Sequence, residues 1–324
     1  MLAVPIREVK QTLPNVEKAW SKKEIPMISF LPITQENATT LLPYLAAQKF
    51  KTCDYSLGAI YQWRAYFQSS FAIVEGMLVL FGCYPMEGCG YLYPVGNGDV
   101  DKALAAIEKD ALERDVTLRF CAVPDEGLER LKARFGDRLE IEERRDWADY
   151  LYEAQSLVTF AGKKLHGQRN HLNRFKKEYP SYQYIPVTAK TLKTAVAFLD
   201  GYEKHTSMDK PIEQEEMLRA KELLRDCLMF SLPAGYVTVD DTVVALAVGE
   251  IVADTLYVHV EKARLDYPGA YQAIVSEYAK NTLHEDTRFI NREDDSGEEG
   301  LRTSKLAYQP LALLNKYFVT VKRA

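Results

Sequence analysis

Nowhere in the 324 residues is there a run of about 18 apolar positions, the length a membrane-spanning helix requires. The first apolar stretch, MLAVPI, is cut off by Arg7 and Glu8 and is too short for the core of a signal peptide. Cysteine is sparse and unpatterned. Cys53, Cys83, Cys89, Cys121 and Cys227 are odd in number and include no CxxC pair, which excludes a zinc ribbon and a thioredoxin-type redox motif. Two nucleotide and nucleophile signatures are missing as well. Gly162-Lys163-Lys164 lacks the GxxxxGK[ST] spacing of a phosphate loop, and no GxSxG is present. Basic and acidic residues nearly balance, at 41 against 46, so there is no global reason to expect nucleic acid or an anionic membrane. Basic surface must be local. Together these absences imply a reduced protein of the cytoplasm, with peripheral association at a membrane as the alternative.

What is present is the composition of a soluble globular protein, 47% hydrophobic and 27% charged, long enough for one large domain or two ordinary ones. Tyrosine, at 20 residues, far outnumbers the three tryptophans; that suits amphipathic pocket walls and, equally, ordinary core. Residues 1–26, with Pro5, Pro14 and Pro26, form an arm of mixed charge. A first domain, 27–150, begins with a short strand at 29–31, a helix at 39–45 and an aromatic-rich segment at 55–67 of undetermined type. A hairpin follows, 71–74 and 77–81, turning at Glu75-Gly76. Then come a strand at 91–95, a helix at 99–115 capped by Asp99, a strand at 117–123, a helix at 125–135 and a strand at 139–145.

The second domain, 151–324, runs in the same order. It has a strand at 182–185, helices at 192–205 and 213–228, and a hairpin at 234–251 turning at Asp240-Asp241. A strand at 254–260, a helix at 268–283, a strand at 287–292, a helix from Gly297-Glu298 and a strand at 316–322 complete it. The halves correspond at an offset of roughly 165–170 residues, an ordered series of matches that reads as two copies of one unit. Glu126-Gly127-Leu128-Glu129-Arg130 even echoes Glu299-Gly300-Leu301-Arg302. The fold class is therefore α/β (α+β), with mixed, mostly antiparallel sheets and flanking helices.

Hairpin, strand, helix, strand, helix, strand is an order that resembles the GNAT acyltransferase fold. Two blocks, GKKLHGQRNHLNRF (162–175) and INREDDSGEEGLRTSKLAYQP (290–310), are similar to signature blocks of a family related to the C-terminal domain of bacterial phosphatidylglycerol lysyltransferases. The resemblance covers nearly the whole chain after about residue 27 and implies tandem GNAT-like units. It implies a donor in a wedge between the strands 254–261 and 287–293, facing a helix that opens at Gly269-Ala270, the candidate cofactor-binding pair. Acyl-CoA and aminoacyl-tRNA are the implied donors. The pyrophosphate loop pattern [QR]-x-x-G-x-[GA] is kept only in Gly269-Ala270; its first glycine is absent and Arg264 is displaced.

Two stretches hold the candidate site residues. The first, 163–177, carries Lys163, Lys164, His166, Arg169 and Asn170 and no acid before Glu178, so it is locally positive enough to hold donor phosphates or tRNA. A solvated basic helix is the competing reading. The second, 289–310, offers Glu293 and Asp294 as general bases, with Glu261 at the end of the neighbouring strand as a third. Asn291, Arg292, Lys305 and Tyr308 would hold a small-molecule or lipid acceptor or a developing oxyanion. Its competing reading is helix capping with surface ion pairs. The carboxylates do not follow the spacing of an EF-hand loop, and no metal is expected.

Overall fold

Turn chemistry sets both hairpins. Glu75 and Gly76 in one, and Asp240 and Asp241 in the other, all have positive φ, the geometry of a two-residue turn whose twist matches the strands. The protein is seen in a computed structural model, which describes residues 28–85, 88–202 and 210–323. The arm expected at 1–26 and the end of the helix expected at 192–205 lie outside the described residues.

In chain order the first half comprises β1 (Leu31–Pro32), α1 (Leu42–Leu45), α2 (Leu57–Trp63), β2 (Ser70–Val74), β3 (Met77–Tyr84), β4 (Gly88–Leu92) and β5 (Val95–Gly96). It continues through α3 (Val100–Glu113), β6 (Leu118–Val123), α4 (Asp125–Phe135) and β7 (Leu139–Glu143). The second half comprises β8 (Asp149–Glu153), α5 (Ala154–Thr159), α6 (His166–Glu178), β9 (Gln183–Pro186), α7 (Leu192–Gly201) and α8 (Pro211–Asp226). Then follow β10 (Ala234–Val239), β11 (Thr242–Val252), β12 (Thr255–Ala263), α9 (Ala270–Thr282), β13 (Phe289–Asn291), α10 (Glu299–Ala307), β14 (Ala312–Leu314) and β15 (Tyr317–Val321). The segment at 55–67 that composition left undetermined contains α2. β8, α5 and β14 have no counterpart in the sequence reading: DYLYE and ALL are too short for a period to register. Asp99 caps α3 as expected, accepting from the N–H groups of Asp101 and Lys102.

Two units divide the chain. One takes residues up to Phe50, Trp63–Arg145 and the end from Asn315; the other takes Lys51–Gln62 and Asp146–Leu314. The boundary read at residue 150 falls inside β8. The first unit's sheet runs β1-β2-β3-β4-β6-β15-β7, with β5 on β3, so the last strand of the chain sits between β6 and β7. The second runs β14-β8-β13-β12-β11-β10-β9, and there β8 sits between β13 and β14. Each sheet has one parallel pair, β4 with β6 and β12 with β13. Among the described residues no helix is long and apolar enough to cross a membrane.

The expectation of a fully reduced chain is corrected at one place. Cys83 and Cys89 form a disulfide across the β3–β4 pair, where they face each other in register. Opposite positions on neighbouring strands bring Cβ atoms within disulfide reach, a proximity that spacing along the chain does not display. Cys53, Cys121 and Cys227 are buried thiols.

Val319 of β15 is fully buried and pairs with Phe120 on one side and Ile141 on the other. Ending the chain at Asn315 strips both neighbours of a ladder. The β7 amides, and those of β6 that face β15 rather than β4, are then expected to exchange with solvent at unfolded-chain rates in hydrogen-exchange mass spectrometry. Native-like protection in β7 would contradict the role given to β15.

Candidate active site

The parallel β12–β13 ladder ends at Tyr257 opposite Asn291, while β12 continues to Ala263. Past that point the strands have no backbone bonds between them, and side chains bridge the gap. Tyr257 and His259 stand two apart on β12, but the register of β12 against β11 shifts between Val258 and Val260, so His259 sits at a bulge and strict alternation does not carry on to Glu261. The Nδ1 of His259 lies 2.8 Å from the Glu293 Oε1, and the Arg292 Nη2 donates to the Glu261 Oε1 at 2.6 Å. Both bridges are removed from solvent, with side-chain exposures of 0% and 19% for His259 and Glu293, and 9% and 13% for Arg292 and Glu261.

The chain after β13 is held from several directions. Asn291 Nδ2 donates to the Lys51 carbonyl (2.6 Å) and to Asp149 Oδ2 (2.9 Å), while its Oδ1 accepts from the Glu293 N–H at 2.6 Å. Glu293 adopts φ 57°, a left-handed conformation unusual for a residue with a Cβ. Its carbonyl accepts from Tyr150 N–H, and Lys305 Nζ donates to the carbonyls on either side, those of Arg292 (2.5 Å) and Asp294. Asp295 is fully buried and accepts from Tyr150 Oη (2.5 Å), Gly297 N–H (3.0 Å) and both Nε and Nη2 of Arg302 (2.9 and 2.8 Å). The strained position is thus over-determined by its surroundings, which is how such geometry persists at functional sites.

Electrostatics follow from burial and partners. Burial pushes the Glu293 carboxyl above the usual range, against the opposing pull of His259. Burial would depress His259, yet Glu250 and Glu293 outweigh it and raise the imidazole to about 9. Burial lowers Lys305. Burial also opposes the charge on Asp295, but Arg302, Tyr150 and the Gly297 N–H hold it down to about 2. Arg292 is raised because Glu261 outweighs its desolvation. Its guanidinium stacks 4.4 Å from the Tyr308 ring, and its buried Nη1 has no hydrogen-bond partner. Burial pushes Tyr308 up to about 12.

Of the residues named from sequence, Asn291, Arg292, Glu293, Glu261, Lys305 and Tyr308 come together here. Asp294 is half-buried beside them: its Oδ1 accepts from Ser296 N–H and Oγ, its carbonyl accepts from Lys305 Nζ, and its charge raises the Lys305 ammonium against burial. Gly269 and Ala270 open α9, with Gly269 at φ 90°, but α6 lies against them. A Cβ on Gly269 would stand 2.7 Å from the His171 carbonyl and 2.8 Å from the Phe175 Cβ. In the preceding loop Arg264 pairs with Asp266 and stacks on Tyr267. On α6, Arg169 Nη1 donates to the carbonyls of Phe160 and Gly162, and Asn170 contacts the His166 ring. Lys163 and Lys164 precede that helix, exposed, and among the described residues have no ion pair.

Sequence reasoning missed His259, Glu250 and Asp149. The alternation on β12 could have found His259, and Glu250 is a lone acid inside the apolar run VVALAVGEIV. Asp149 had no signal. One group of metal-ligand type occurs among the described residues, Cys53, Asp54 and Asp149, with ligand atoms within 4.8 Å of one another. Asp149 there already accepts from the Cys53 N–H at 2.6 Å as well as from Asn291.

Among the described residues, the matching place in the first unit carries no counterpart of these pairs. Its parallel pair, Tyr91 with Phe120 and Leu92 with Cys121, leads to Tyr93, which packs on Gly127 of α4 with no room for a Cβ between them.

Paired sheets of this topology define two tandem GNAT-like units, the fold of acyltransferases of the GNAT and Fem type. The chain belongs to the family described as phosphatidylglycerol lysyltransferase, C-terminal, which matches residues 46–320. A conserved protein of unknown function from Bacteroides thetaiotaomicron is 32% identical with a TM-score of 0.86, over 91% of this chain and 100% of that one. L-PGS from Bacillus licheniformis is 15% identical with a TM-score of 0.63, over 93% and 95% of the two chains, a likeness of fold. An uncharacterised protein of Mycoplasmoides gallisepticum is 27% identical over 182 residues; the match spans 53% of this chain and 56% of that protein.

Two stability predictions follow from these contacts. Asp295→Asn leaves the Arg302 and Tyr150 donors short of a charged acceptor and is expected to cost roughly 3 kcal/mol in urea denaturation at pH 7. The difference should shrink below pH 3.8 as the native carboxyl takes up its proton, since a depressed group loses its contribution as pH falls towards about 2. His259 has the opposite sign. Being raised from 6.5 to about 9, it stabilises fully below pH 6.5 and progressively less as pH rises through 9. A melting-temperature series from pH 6 to 10 should therefore be flatter for Glu250→Gln than for the native chain.

Proposed function

We propose that the second unit transfers an acyl or aminoacyl group from a phosphate-containing donor to an amine or hydroxyl acceptor. The observation that carries this reading is the buried Arg292. Its guanidinium is anchored by Glu261 and stacked on Tyr308, yet keeps Nη1 without a hydrogen-bond partner among the described residues, at the place where the two parallel strands part. A buried N–H without a partner costs on the order of 1–3 kcal/mol, a cost removed when a carbonyl or oxyanion arrives.

In the proposed reaction the acceptor attacks the donor carbonyl while Glu293 takes its proton. Oε1 of Glu293 is engaged by His259, and Oε2 has no hydrogen-bond partner among the described residues, so Oε2 receives it. Burial, by raising the affinity of Glu293 for a proton, suits that step. Charge gathering on the carbonyl oxygen meets Arg292 Nη1. The intermediate collapses, the donor oxygen or sulfur leaves, and the proton on Glu293 passes to it.

Two observations favour an aminoacyl ester, as in aminoacyl-tRNA, over acyl-CoA as donor. The strand gap that would admit a pantetheine arm is bridged by the Arg292–Glu261 and His259–Glu293 pairs, and α6 covers the start of α9 where a pyrophosphate would sit. Phosphates of the donor would instead meet Lys163 and Lys164. Those same exposed lysines favour a second reading, a non-catalytic module that binds tRNA, anionic lipid or a small ligand; it calls for steeply salt-dependent binding without transfer.

The test supplies radiolabelled lysyl-tRNA or acetyl-CoA together with phosphatidylglycerol vesicles or spermidine, and follows label into the acceptor. Transfer from the aminoacyl ester is expected, falling by about a hundredfold in Glu293→Gln and in Arg292→Lys. Binding without label transfer would favour the second reading, and unchanged transfer in both variants would remove these residues from the mechanism.

A further inference from the structure

His259 belongs to a longer arrangement than its contact with Glu293 implies. Its side chain has no exposure. On the far side of the ring, Nε2 lies 3.5 Å from Glu250 Oε2, and Glu250 is itself buried within β11. That carboxylate accepts two backbone donors, Leu57 N–H at 3.2 Å and Gly58 N–H at 2.6 Å. These are the first residues of α2, a helix start whose unpaired N–H groups favour an anion. Gly58 also lets the helix approach the ring. A Cβ there would stand 2.2 Å from Nε2 and 2.3 Å from Cδ2. Helix start, carboxylate, imidazole and carboxylate therefore follow one another to the place where β12 and β13 part, the Glu250–His259 step being an ion-pair contact rather than a hydrogen bond.

We propose that Glu250 and His259 are positioning residues for Glu293, fixing its Oε1 and keeping its carboxylate charged between turnovers. This rests on the reading of Glu293 as the proton acceptor. The need for such a device follows from the charges around it. Glu293 faces His259 of β12, Asp149 of β8 and Lys305 of α10, and Arg292 is its chain neighbour. Burial and Asp149 favour its protonation, and Lys305 is already engaged by two carbonyls. Only the imidazolium contacts its oxygen directly among the charged side chains described. Glu250 solves the remaining difficulty. Once Glu293 has taken a proton from the acceptor it no longer balances the imidazolium, but Glu250 does. His259 thus stays charged through the cycle and is ready to stabilise the carboxylate again when the proton leaves.

Nitrogen-15 histidine labelling tests the ionisation directly. His259, assigned by its absence in His259→Gln, is expected to keep both ring protons up to pH 8, and Glu250→Gln should make it titrate at lower pH. A neutral His259 ring at pH 7 in the native protein would overturn the proposal, and it does so whether or not any transfer is found. The kinetic arm uses the lysyl-tRNA assay. Glu250→Gln is expected to lower kcat by roughly tenfold or more with KM little changed, and to move the alkaline limb of the pH–rate profile downward as the imidazolium is lost earlier. His259→Gln should lower kcat by about a hundredfold. A profile that keeps its limbs in Glu250→Gln, with only a lower melting temperature, would make the pair structural and refute the positioning role. If the native chain transfers from no donor, the proposed function fails while the spectra still decide the charge state of the clamp.

Discussion

Charges buried at the end of β13 are tolerable only because each has a partner, and this requirement organises the second unit. Isolated ions cost several kcal/mol each to desolvate, so an unpaired Arg292, Glu293 or Asp295 would unfold its surroundings. The partners come from distant parts of the chain: Glu261 and His259 from β12, Glu250 from β11, Asp149 and Tyr150 from β8, Arg302 and Lys305 from α10. Satisfying them fixes four elements relative to one another around the end of β13 and the loop behind it. The left-handed Glu293 is affordable in that setting, since Asn291, Tyr150 and Lys305 hold its backbone from three sides.

Among the described residues, the same topology in the first unit carries no counterpart of these pairs where its parallel strands end. Its parallel strands lead into Tyr93 against Gly127, an apolar contact that fills the corresponding space. A duplicated unit can keep its packing in both copies and its chemistry in one, because the sheet and helices need only apolar periodicity whereas a site needs particular groups at particular distances. Strand order supports the division. β15 enters the first sheet between two strands, so the first unit depends on a strand from outside its own main run of sequence, whereas β8, inserted likewise in the second sheet, belongs to that unit's own run.

Much of the fold was legible before any coordinates. Alternation and turn residues marked both hairpins, apolar spacing marked α3, α4, α8 and α9, and the ordered repeat announced two related units. The motif 290–310 pointed to the residues that gather at the strand gap. Legibility failed where segments were short, as in β8, α5 and β14, and where strand register decided a pairing, as with Cys83 and Cys89 on facing positions of β3 and β4. It also failed to separate roles within the acidic run. Asp294 and Asp295 look alike in sequence, yet one caps a surface turn and the other is a buried acceptor for Arg302 and Tyr150.

Local physics explains the boundary. Periodicity, capping and turn preference act over a few residues, so the sequence by itself determined the elements, their order and the existence of a charged loop after β13. Which carboxylate is buried, which histidine meets it and which arginine N–H is left unpartnered depend on contacts across tens to hundreds of positions. His259 shows this most plainly: as a lone residue in a strand it is ordinary core, and only folding places it between Glu250 and Glu293 under the start of α2. Tertiary structure decided the site because electrostatic interaction depends on distance through space and on burial, and neither is encoded in separation along the chain.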